Sequence, residues 1–67
     1  MTPEQQAAQL AAEARYAADR VALYRQRMYA GRGDPLRLAE LERIAAGAAE
    51  RLDLHRAHLA ATANDEL

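Results

Sequence analysis

Five arginines crowd a short stretch of this chain: Arg20, Arg25, Arg27, Arg32 and Arg37 face Asp34 as their one acidic neighbour between residues 20 and 37. Guanidinium groups at such density suit phosphate, which they grip through paired, charge-assisted hydrogen bonds. Tyr24 and Tyr29 stand among them and offer faces on which a base could stack. Arg25, Arg27, Arg32 and Arg37 are therefore the candidate contacts for an anion or a nucleic acid. The competing explanation is structural and is favoured, because basic side chains near the end of a helix answer its dipole and keep a thin protein soluble. The charge elsewhere is acidic, and the chain as a whole carries a formal −1 with a pI near 6.1. No global basic field draws it to nucleic acid or to an anionic membrane.

Histidine offers a second chemistry. His55 and His58 are three residues apart, with Glu50 and Asp53 about a turn before them. Helical bundles that hold paired metals place a Glu three residues ahead of each His, and neither histidine here has a carboxylate at that spacing. No metal site and no cofactor are expected, and His55 is read as a packing residue. Catalytic groups are scarce. The chain has no Cys, Ser or Lys, and its aliphatic hydroxyls are Thr2 and Thr62, near its two ends. No glycine-rich phosphate loop follows a strand. An enzyme is not expected.

The elements that must position these residues are two helices. Thr2-Pro3-Glu4-Gln5 is a helix start, with Thr2 as N-cap, Pro3 in the first helical position and Gln5 closing a capping box. Asp34-Pro35 repeats the signal. Gly31 interrupts the pattern between them, and Arg32-Gly33-Asp34 is read as turn and N-cap, not as an adhesive tripeptide. The spacing predicts a first helix over about 3–30, a turn over 31–34 and a second helix over about 35–62, with 63–67 as a frayed acidic tail. So short a turn makes the helices antiparallel neighbours.

Apolar spacing sets how they pack. Ala7, Leu10, Ala14, Ala17, Val21, Tyr24 and Met28 alternate steps of three and four, as do Leu38, Leu41, Ala45, Ala48, Leu52, His55 and Leu59. These are two heptad seams. Folding the chain at the turn sets Met28 against Leu38, Tyr24 against Leu41, Val21 against Ala45, Ala17 against Ala48, and Leu10 against His55. Close backbone approach is expected at the waist, helped by Ala18, Gly47 and Ala49. The fold class is thus all-α: one antiparallel, coiled-coil-like hairpin.

That seam is rich in alanine and buries little area. A chain of 67 residues without cysteine has no disulfide or thiolate-held metal to reinforce it. Further apolar residues lie off the seam: Tyr16, Leu23, Tyr29, Ile44 and Leu54 are read as a second stripe and the candidate interaction surface. The expected occupant is a second copy, giving a homodimeric four-helix bundle, or the helix of a partner protein. The function expected is that of a non-enzymatic interaction module: an adaptor, regulator or accessory subunit. Nucleic-acid or nucleotide binding at the arginine-bearing turn is one alternative, and a minor structural part of a larger assembly such as a phage particle is another. The all-arginine basic set and eighteen alanines suggest a GC-rich, bacterial genome. The opening residues lack the cationic and apolar regions of a secretory leader, so the cytoplasm is the expected location and no membrane partner is expected.

Overall fold

The computed structural model describes the backbone of residues 1–65 and the side chains of residues 1–63. Helix α1 spans Pro3–Tyr29 and helix α2 spans Pro35–Asp65, packed side by side as a hairpin of about 55 × 16 × 15 Å. No strand occurs among the described residues.

Both helix starts follow their capping residues. The Thr2 side chain accepts from the Gln5 N–H at 3.1 Å, and the Thr2 N–H donates to Gln5 Oε1 at 2.9 Å, so two of the orphan donors of α1 are satisfied reciprocally. At α2 the Asp34 carboxylate accepts from the Leu36 N–H at 3.0 Å.

The turn is fixed just as locally. Arg32 N–H donates to the Arg27 carbonyl and Gly31 N–H to the Met28 carbonyl, the crossed pair of bonds that closes a helix with a left-handed residue. That residue is Gly31, at φ +75°, where a side chain would be strained. Gly33 is needed for a different reason. A Cβ at this position would run into the Sδ and Cγ atoms of Met28, so the loop can fold down onto the end of the seam only because the side chain is absent. The Tyr24 hydroxyl then accepts from the Asp34 N–H at 2.8 Å and ties the start of α2 to the body of α1.

The core follows the two heptad seams. Every residue assigned to them is buried or half-buried, with Ala17, Val21, Leu41, Ala48 and Leu52 forming the buried centre. In mid-hairpin Tyr24 and Leu41 line one groove and Val21 and Ala45 another.

Three details depart from the sequence reading. Helix α2 continues through residues 63–65, beyond the expected end near Thr62; Ala63 favours helix, and no Gly or Pro stops it. The Thr62 hydroxyl, turned back to the His58 carbonyl at 3.0 Å, is absorbed within the helix. Residues 66 and 67 of the expected tail lie outside the described residues. Next, His55 occupies its seam position half-buried, and its ring Nε2 lies 3.1 Å from the carbonyl oxygen of Pro3. A carbonyl can only accept, so Nε2 is the donor there. The ring thereby finds a polar partner at the first turn of α1, in addition to its place in the seam. Finally, Gly47 is not required for the hairpin's own close approach. A Cβ at that position would meet only Arg51 Nη1, at an ordinary 3.5 Å.

Candidate functional site

The helices meet along one seam, which leaves a groove on each flank. The first, about 280 Å³, is lined by Arg20, Leu23, Tyr24, Arg27, Arg37 and Leu41. The second, about 270 Å³, is lined by Ala18, Val21, Arg25, Glu42 and Ala45. Heptad position decides which residue goes where. Arg20 and Arg27 are seven apart and lie on one line of α1, whereas Arg25 stands five beyond Arg20, about 140° around the helix, and faces the other flank.

This geometry divides the four arginines that the sequence grouped together. Arg27 and Arg37 share the first groove. Arg25 lies across the seam, 3.8 Å from Glu42 on α2, where the two charges answer each other. Arg32 is in the turn, exposed and away from both grooves. The groove adds Arg20, which was counted in the basic stretch but not singled out. Its guanidinium sits 5.8 Å from the centre of the Tyr16 ring, within range of a cation–π contact. The signal for Arg20 was present in the sequence: it precedes Arg27 by two helical turns. Arg37 has its own local acid, Glu40, at 3.1 Å. Among the described residues no other ion pair of this kind forms, so Arg20 and Arg27 have no carboxylate partner there.

The apolar residues off the seam divide as well. Tyr16 and Leu23, seven apart, sit on the flank of the first groove and are 67% and 63% exposed. On α2, Ile44 follows Arg37 by seven residues and Leu54 follows Arg51 by three, which carries the same flank along that helix. They are 45% and 63% exposed. Tyr29, four beyond Arg25, falls on the other flank, at the tip of the hairpin. Leu36, which the sequence reading did not single out, is exposed near the start of α2. One flank thus bears Tyr16, Leu23, Ile44 and Leu54 interleaved with Arg20, Arg27, Arg37 and Arg51, with Glu13 seven before Arg20 on the same line and Glu40 beside Arg37. Its counterpart, by the same spacing, bears Ala11, Ala18 and Ala49 with a matched ion pair.

Among the described residues no three His, Asp or Glu side chains come together as a metal site, and no polar side-chain atom is buried without a partner. No described helix is long and apolar enough to cross a membrane. Comparison with protein-family models, with curated proteins and with solved structures gives no match.

Proposed function

We propose that this chain is a non-enzymatic interaction module that works as a self-associating hairpin, with the flank of Tyr16, Leu23, Ile44 and Leu54 packing against the same flank of a second copy in a four-helix bundle. In this reading it serves as an adaptor, regulator or accessory subunit in the cytoplasm of a bacterium.

The observation that carries the reading is an imbalance of burial. Among the described residues only five are buried inside one hairpin, two of them alanines, and none of their large side chains is wholly enclosed. Four larger apolar side chains meanwhile remain between 45% and 67% exposed on a single flank. A chain of this size gains robustness by association when it lacks disulfides or a metal. Gly47 supports the same reading. Mid-helix glycine costs about 1 kcal/mol relative to alanine, and no contact within the hairpin requires it. It lies between Ile44 and Leu54 along the flank, where a second backbone could approach it.

Light scattering across a range of concentrations tests this directly. A mass of twice 7.4 kDa is expected, reduced to the single-chain mass by Leu23→Glu with Ile44→Glu and left unchanged by Ala18→Gln on the other flank. A folded single chain at every concentration would reject self-association.

A further inference from the structure

The first groove gathers more positive charge than its own carboxylates answer. Three guanidinium groups from two helices border one recess, and Glu40, which pairs with Arg37, is the single acid bonded to any of them among the described residues. Arg20 is half-buried, so its charge is screened less than a fully exposed one, while Arg27 is exposed and the Arg37 side chain is 42% exposed. Holding like charges around one recess is unfavourable unless an anion joins them. The opposite groove makes the contrast plain. It has nearly the same volume, but its arginine faces a glutamate across the seam and its remaining lining is Ala18, Val21 and Ala45.

We infer that this groove binds a small phosphate-bearing molecule of nucleotide size. Arg20 and Arg27 stand two turns apart on α1, about 10 Å along its axis, and Arg37 approaches from α2, so a chain of phosphoryl groups has successive donors rather than one. Leu23 supplies an apolar surface beside the arginines, with the buried Leu41 as the floor beneath it, and the uncharged part of the ligand rests there. The groove, about 280 Å³ and open along one side, has room for more than a single inorganic ion. The groove is lined within one hairpin, but Leu23 also belongs to the flank given to self-association, so a second copy and this ligand compete for the same face. Binding here requires Arg20, Arg27 and Arg37; Arg25 and Arg32 take no part.

Isothermal titration of the purified chain at low salt with ATP, tripolyphosphate and adenosine tests the site, with circular dichroism confirming that each variant remains helical. ATP is expected to bind more tightly than tripolyphosphate, adenosine to bind weakly, and added salt to lower the affinity of both anions. Arg20→Gln, Arg27→Gln and Arg37→Gln should each weaken ATP binding about tenfold, as expected for loss of a charge-assisted contact, with Arg25→Gln and Arg32→Gln within about twofold of the parent. Equal affinity for ATP and tripolyphosphate would overturn the role given to Leu23 and Leu41. Absence of ATP binding at millimolar concentration would overturn the site. So would equal losses in the Arg25 and Arg27 variants, or binding confined to a long oligonucleotide, which would mark general attraction to a polyanion.

Discussion

The two flanks of the hairpin share a seam and enclose grooves of almost equal volume, yet they are opposites in chemistry. On one, Arg25 and Glu42 meet across the helices above a lining of small side chains, and the surface is balanced within itself. On the other, arginines and large apolar residues alternate, and Glu40 is the one acid paired with an arginine of its groove among the described residues. The space between two helices is set by the seam, but what that space can bind is set by the positions beside it. A flank that neutralises its own charge has little to offer a partner. One that leaves both charge and apolar area unanswered is where recognition by this chain belongs.

The sharpest way to break the comparison is to remove the wall on which the flanks depend. Leu41 is 4% exposed, and Leu41→Ala should lower stability by about 2–5 kcal/mol, a loss large enough to reduce helicity at room temperature in thermal melts followed by circular dichroism. If that variant melted like the parent, the seam would not be the core. A smaller effect of opposite sign is expected at Gly47. Because a Cβ meets only ordinary contact there, Gly47→Ala should stabilise the dilute, dissociated hairpin by about 1 kcal/mol, and it should weaken association measured by sedimentation. Stabilisation without weaker association would show that the second copy does not pack at this glycine. The smallest change belongs to the balanced flank. Arg25→Gln removes a partly exposed ion pair and should alter stability by no more than about 1 kcal/mol in chemical denaturation, with the mass in solution unchanged.

Much of this architecture was legible in the sequence because its signals are local and periodic. Thr2 with Gln5, and Asp34 with Pro35, announce helix starts through hydrogen bonds only two or three residues long. The alternation of threes and fours picked out the buried face of each helix without knowledge of the other. The division of the flanks was harder to see. Arg25, Arg27, Arg32 and Arg37 look like one basic cluster along the chain, but two residues of separation rotate a side chain by about 200°. Arg25 and Arg27 consequently serve different surfaces, whereas Arg20, farther away in sequence, joins Arg27. Tyr29 was separated from Tyr16 and Leu23 by the same rotation. Gly47 misled for a different reason: glycine near a helix contact suggests close packing, but the sequence does not say which neighbour would come close. The Pro3 carbonyl that meets His55 was invisible because a backbone acceptor carries no sequence signature.

The bond from His55 to Pro3 has a consequence for the order in which the molecule comes together. Tyr24 and Asp34 enclose a loop of ten residues, whereas His55 and Pro3 are separated by 52. Closing the longer loop directly from an open chain would cost about 1.5 kcal/mol more in entropy than closing the shorter one. On loop-closure entropy alone, assembly is expected to begin at the turn and run like a zip toward the free ends, each new layer of the seam being short-range once the previous layer is in place. The imidazole of His55 fastens near the end of that sequence and opens near its beginning, so amide protons beside Pro3 should exchange with solvent well before those beside Tyr24.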